Sequence, residues 1–208
     1  LTGREDLRQV PLITIDPPDA RDHDDAVYAE PDTDAGNKGG WVVWVAIADV
    51  AAYVRPGSSL DVTAREKANS VYFPDRVEPM LPERLSNGLC SLRYGENRAC
   101  MAVRMVFDKG GRKRSHRFVR GLMRSAAKLS YEQAQAAIDG TPDDVTGPLL
   151  ETILKPLWAA YTTMKIGRDV RSPLAIESLE RKIVISPEGE VVSITPRASL
   201  EAHRLIEE

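Results

Sequence analysis

Two cysteines, Cys90 and Cys100, are all that this 208-residue chain contains, too few for a disulfide scaffold or a four-ligand zinc site. Both are read as buried, reduced thiols. No apolar run approaches the ~20 residues of a membrane helix, and no charged segment leads into an apolar one, so neither membrane insertion nor secretion is expected. A reducing cytoplasm fits best. The chain starts at Leu1 rather than methionine and has no internal repeat and no low-complexity tract. Nor is there an excess of positive charge: the formal net charge is −3, which taken alone argues against a phosphate-rich partner. What is present is a hydrophobic content of 42%, enough for one sizeable core and too high for a disordered chain.

The charge is unevenly placed, and its distribution reverses what the net value implies about partners. Between Arg104 and Lys128 the chain carries Arg104, Lys109, Arg112, Lys113, Arg114, Arg117, Arg120, Arg124 and Lys128 against Asp108 alone, while Asp16 to Asp34 gathers the acid. A basic surface beside an acidic pocket suits phosphodiester chemistry, since one tracks a backbone and the other holds cations. The plainer reading is that Arg117, Arg120 and Arg124 solvate the outer face of a strand.

The acid is the most informative feature. Asp16, Asp19, Asp22, Asp24 and Asp25 fall within ten residues, directly behind the strand-like Val10–Ile15 and ahead of Ala26-Val27-Tyr28. Carboxylates so close must stay in water, take up protons or share a cation. Their position between two core elements favours the cation, and hard oxygen donors favour Mg²⁺ or Mn²⁺ over Zn²⁺. A calcium loop starting at Asp22 fails, because Ala26, Val27 and Thr33 stand where an acid or Asn, a Gly and a bidentate Glu are needed. A solvated acidic turn is the bland alternative. His23 is expected to face away from its acidic neighbours as a filler, by the alternation of extended chain, with metal ligation as the alternative.

Along the chain, strands and helices interleave. Trp41 to Val50 is too apolar for an edge and reads as a central strand, antiparallel to a strand around Ala26–Glu30 across the turn 34–40. Asp49 then lies near the acidic cluster, as a ligand or as a loop cap, with capping the expected role. A short helix is expected over Leu60–Ala68, followed by a long irregular stretch to Gly95, in which Tyr72 or Phe73 should plug the core. Residues 99–108 and 113–125 form a hairpin by the Gly110-Gly111 pair. Ser130 with Gln133 predicts a capping box, and Gly140 a helix end. Apolar spacing predicts one helix from Gly147 to about Val170, kinked at Pro156, with Trp158 and Tyr161 in the core. A second hairpin spans 181–186 and 190–195, and a last helix starts near Ser199.

These residues also carry a resemblance. Thr14-Ile15-Asp16 followed by Asp19-Ala20-Arg21-Asp22-His23-Asp24-Asp25-Ala26 is similar to the acidic signature of the RNB family, exoribonucleases of the ribonuclease II and ribonuclease R type. Further blocks agree in the family's order: Trp44–Val50, Ser70–Pro74, Pro79–Pro82, Leu85–Leu92 and His203–Glu208. The likeness runs from about Arg4 to the last residue and is strongest to bacterial ribonuclease R, although Ile176 falls where ribonuclease II-like enzymes have a base-stacking phenylalanine.

The resemblance implies a mixed α+β fold, a largely antiparallel sheet with packed helices, incomplete at the C-terminus. It implies that residues 1–208 are the N-terminal part of one catalytic domain, without flanking cold-shock and S1 domains. The implied activity is metal-dependent 3′-to-5′ hydrolysis of single-stranded RNA to 5′-mononucleotides, with an RNA-binding module without hydrolysis as the alternative. Asp16, Asp22, Asp24 and Asp25 match the family's functional aspartates, Asp24 being the one expected to orient the attacking water, while Asp19 sits in the variable loop. Mg²⁺ or Mn²⁺ is the implied cofactor, with no organic cofactor. Tyr72 matches the aromatic that contacts the terminal nucleotide, and Glu207 or Glu208 the glutamate at the RNA end. The family's catalytic arginine would lie beyond Glu208, so these 208 residues alone are expected to bind metal weakly and to show little activity.

Overall fold

The computed structural model describes residues 2–174, 181–196 and 199–208; Ile176 lies outside them. The strands and helices run β1 (Glu5–Asp6), β2 (Ile13–Asp16), β3 (Asp25–Pro31), β4 (Trp41–Ala48), α1 (Ser59–Lys67), β5 (Val71–Tyr72), β6 (Val77–Glu78), β7 (Asn97–Phe107), β8 (Lys113–Arg124), β9 (Ala127–Ser130), α2 (Tyr131–Ile138), α3 (Lys155–Val170), β10 (Arg181–Ile185), β11 (Val191–Pro196) and α4 (Glu201–Glu207).

A seven-stranded sheet of order β1-β8-β7-β4-β3-β2-β9 carries the fold. The hydrophobic run of β4 takes the middle place, as its lack of polar alternation requires. Its antiparallel neighbours are β3, with Asp25 opposite Ile47, and β7, with Ile47 opposite Met101. Parallel pairing enters at both edges: β1 on β8, and β9 on β2. Between Arg124 and Ala127 the chain passes from the β8 side of the sheet to the far edge beside β2, so the sheet must curl strongly. Small residues line one face, where Ala26, Ala46, Ala48, Cys100 and Ala102 pack with Leu12, Leu92 and Met123. The other face, with Ile13, Ile15, Val27, Ala29 and Val43, is covered by apolar residues of α2, α3 and α4.

Local chemistry explains the helix boundaries. Ser130 Oγ accepts from the Gln133 N–H at 3.1 Å and Gln133 Oε1 accepts from the Ser130 N–H at 3.0 Å, the expected reciprocal cap. The single helix expected from Gly147 is instead a 3-10 turn (Gly147–Leu149), a π-type turn (Leu150–Leu154) and then α3. Pro156 thus falls in the first turn of α3, where its missing N–H costs nothing, and the break precedes it. Tyr161 is buried and Trp158 packs against the same core. The stretch after α1 holds the short β5–β6 hairpin and a π-type turn at Arg84–Leu89. Neither aromatic there plugs the core: Tyr72 is 64% and Phe73 43% exposed, because the two-stranded hairpin stands apart from the main sheet and Arg76 rather than apolar core covers the Phe73 ring. Cys90 and Cys100 are free and buried. Among the described residues no helix is long and apolar enough to cross a membrane.

Candidate active site

Asp16 closes β2 and Asp25 opens β3, so the loop between them is short and held at both ends by the sheet. Four further hydrogen bonds fix it. The Ala48 N–H donates to Asp24 O at 2.8 Å, tying the loop to the end of β4. The His23 N–H donates to Ser91 Oγ at 3.0 Å, and that hydroxyl donates to Arg21 O at 2.9 Å. The Leu92 N–H donates to His23 O at 2.8 Å. The segment Cys90–Leu92 therefore grips the acidic loop from behind, which gives a physical purpose to the Leu85–Leu92 block.

The side chains converge from this frame. Asp16 is buried, and its Oδ2 lies 2.8 Å from His23 Nδ1. His23 is thus not a filler facing away. Residues 17–24 are a turn and coil, so the alternation of extended chain does not apply to them, and the ring swings back onto Asp16. Asp22 Oδ2 accepts from the Tyr72 hydroxyl at 2.7 Å, which brings the β5–β6 hairpin over the acids. Asp24 is solvent-exposed and Asp25 is half-buried. Asp19 is exposed in the preceding turn.

Electrostatics shows that the carboxylates sense one another. Crowding by the surrounding protein, then the charges of Asp22 and Asp16, push the Asp24 carboxyl above the usual range. Burial, then Asp16 and Asp24, push Asp25 up to about 6. The hydrogen bond to Asp22, with burial and the Asp22 and Asp24 charges, pushes the Tyr72 hydroxyl up to about 12. The same field reaches Cys90, raised by burial and by Asp24 and Asp49. Such an under-compensated group of hard oxygens suits a small divalent cation. Yet among the described residues no group of three or more His, Cys, Asp or Glu side chains is arranged so that it could hold a metal ion. One oxygen each of Asp16 and Asp22 is engaged by His23 and Tyr72, so the donors stand close without converging on one point.

Asp49 takes the N-cap position of a 3-10 turn, Val50–Ala52, without making a side-chain cap. Instead Arg4 Nη2 pairs with its Oδ2 at 2.5 Å, and Arg4 Nη1 reaches Cys100 O and Gly121 O at 3.3 Å each. A guanidinium within reach outcompetes a turn N–H as the donor to a buried carboxylate. Nothing in the local pattern of Arg4 announced this, because the pairing spans 45 residues.

The other expected residues are placed elsewhere. Glu208 pairs with Arg168, and Glu207 is exposed. Arg168 follows Gly167, whose backbone packs on the Gly111 turn between β7 and β8, so this pair lies toward the end of the sheet away from Asp25. The basic run divides: Arg117 pairs with Glu5, Arg124 donates to Asn97 Oδ1 and Lys128 to Ala20 O, whereas Arg120 has no such partner among the described residues.

The model of the RNB domain matches residues 4–208. Ribonuclease R of Vibrio parahaemolyticus is 45% identical over 208 residues, covering 99% of this chain and 24% of that protein. Ribonuclease R of Escherichia coli K12 is 43% identical over 208 residues, covering 99% and 25% respectively. Mycoplasma genitalium RNase R, solved in complex with ribose-methylated single-stranded RNA, superposes with a TM-score of 0.91 at 29% identity, covering 100% of this chain and 32% of that one. The chain therefore spans about a quarter of the length of these curated relatives.

Proposed function

The chain belongs to the RNB domain family, and on that premise we propose that it is the acid-bearing part of a catalytic domain that hydrolyses single-stranded RNA from its 3′ end to 5′-mononucleotides. The observation that carries the reading is the mutual charge of Asp16, Asp22, Asp24 and Asp25 beneath an exposed tyrosine that donates to one of them. Asp16, Asp22, Asp24 and Asp25 would hold Mg²⁺ or Mn²⁺. When bound, such divalent ions would neutralise phosphate charge, activate water and stabilise the leaving oxygen.

The chain's own residues divide the remaining work. His23 holds Asp16 Oδ2 and so fixes the orientation of that carboxylate. Asp24, exposed and with its carbonyl pinned by Ala48, orients the attacking water. Tyr72, fixed through its hydroxyl, offers its ring to the terminal base, a contact that any base can make. The two buried thiols suit a reducing cytoplasm.

The test is trimming of 5′-labelled single-stranded RNA with and without Mg²⁺, using the chain alone and the chain grafted into full-length Vibrio parahaemolyticus ribonuclease R in place of its matching segment. The graft should trim RNA only with the metal, and Asp24→Asn in it should stop hydrolysis while RNA binding persists. Near-normal turnover by that variant would overturn the assignment. The chain alone should trim little, since loss of one preorganised donor to the scissile phosphate commonly costs about 10²–10³ in rate.

A further inference from the structure

A cleft of about 540 Å³ opens at the end of the sheet opposite the acidic loop, between the β3–β4 loop and the β7–β8 turn. Gly36, Asn37, Lys38, Asp108, Lys109, Gly110, Arg112 and Arg114 line it. Four cations thus face one carboxylate. That carboxylate is already engaged, since Asp108 Oδ1 accepts from the Gly110 and Arg112 N–H groups at 2.9 and 3.0 Å. Arg114 is held in place by donating to Gly36 O at 3.0 Å, while Lys38 and Lys109 have no hydrogen bond or ion pair among the described residues. The nearby Asp32 is occupied by Asn37 Nδ2 at 2.7 Å and by the Asp34 N–H, and Asp34 in turn accepts from the Gly36 N–H.

The walls are rigid, unlike ordinary loop tips. Asn37 is buried and its amide also donates to Phe107 O at 3.0 Å, fastening the β3–β4 loop to β7. On the other wall Gly111, at φ +75°, packs backbone to backbone on α3: an added Cβ would stand 2.1 Å from Thr163 O. The two walls stand close, with Lys109 Cβ 3.5 Å from where a Cβ on Gly39 would be. A preorganised cationic cleft of this kind suits a polyanion backbone, because little ordering entropy remains to be lost on binding. From Asp25 the strand β3 leads to it over seven residues, about 20 Å at ~3.3 Å each. That span is within reach of the about 4–16 nucleotides that single-strand grooves hold per fold.

We propose that this cleft is a second RNA contact, taking phosphates of the single strand upstream of the end held at the acidic loop. It rests on the nuclease reading and adds a grip that reads charge rather than sequence. The measurement is fluorescence anisotropy of labelled oligouridylate, a 12-mer and a 3-mer, with the 208-residue chain in EDTA between about 50 and 200 mM salt. The Lys38→Ala/Lys109→Ala/Arg112→Ala variant should bind the 12-mer more weakly, with the slope of log K against log salt reduced by about 2, at ~0.7 per lost single-strand phosphate contact. The 3-mer should bind as before, and the Lys38→Arg/Lys109→Arg/Arg112→Lys variant should regain the 12-mer slope. An unchanged 12-mer slope in the alanine variant would overturn the cleft while leaving the nuclease reading standing. Wild type with no salt-sensitive affinity for either RNA would overturn both. Preferential displacement of the 12-mer by polyglutamate of equal charge would overturn it in favour of an acidic protein partner.

Discussion

The Tyr72 hydroxyl donates to Asp22 Oδ2 at 2.7 Å across 50 residues of sequence, so the residue expected to meet the RNA end and a residue expected to hold metal are one mechanical unit. Tyr72→Phe should keep the ring and free the carboxylate, whereas Tyr72→Ala should free the carboxylate and lose the ring as well. Terminal-base affinity of short RNA, by anisotropy, should therefore fall by about 1–3 kcal/mol in the alanine variant and far less in the phenylalanine one. Equal losses in the two would show that the hydroxyl, not the ring, makes the contact.

His23 is the second organiser. With its ring nitrogen on Asp16 and its backbone gripped by Ser91 and Leu92, it fixes where a buried carboxylate can point. His23→Phe should leave the loop's backbone contacts intact and lower Mn²⁺ affinity by about 10–100-fold, measured by titration calorimetry. Unchanged affinity would mean that Asp16 is held without it.

Asp25 gives a pH signature. Its folded pKa of about 6 lies above its ordinary 3.8, so the folded state binds the extra proton. The stability this group contributes is full below pH 4 and is lost as pH rises through 6. Metal-free Asp25→Asn should thus be more stable than wild type at pH 7, by on the order of 1–3 kcal/mol in urea unfolding, and equal to it near pH 4. Added Mg²⁺ should narrow the gap at pH 7 by stabilising wild type alone.

The Arg4–Asp49 pair makes a further test, with side chains 9% and 3% exposed. Arg4→Ala should cost about 3–5 kcal/mol by stranding a buried carboxylate, and Arg4→Met with Asp49→Leu should recover most of it. A single variant as stable as wild type would show that water reaches Asp49.

Much of this architecture is legible in local chemistry. The capping box at Ser130, the β3–β4 and β7–β8 hairpins and the central place of β4 follow from residue patterns within a few positions of one another. The acidic loop stood out because like charges between two strands need a reason. What stayed hidden depends on distant chain. The parallel pairings of β1 and β9, the Ser91 grip on His23 and the Arg4 pairing join residues 45 or more apart. The outward placement of both Tyr72 and Phe73 follows from the β5–β6 hairpin standing off the main sheet, which no periodicity of so short a segment could reveal.

The central claim is that the acidic loop is a divalent-cation centre, and electron paramagnetic resonance of Mn²⁺ tests it most directly. Titrating the chain into dilute Mn²⁺ should diminish the free-ion signal, excess Mg²⁺ should restore it, and Asp24→Asn/Asp25→Asn should leave it undiminished from the start. A free-ion signal that wild type and this variant leave equally intact, at protein concentrations up to millimolar, would contradict that claim.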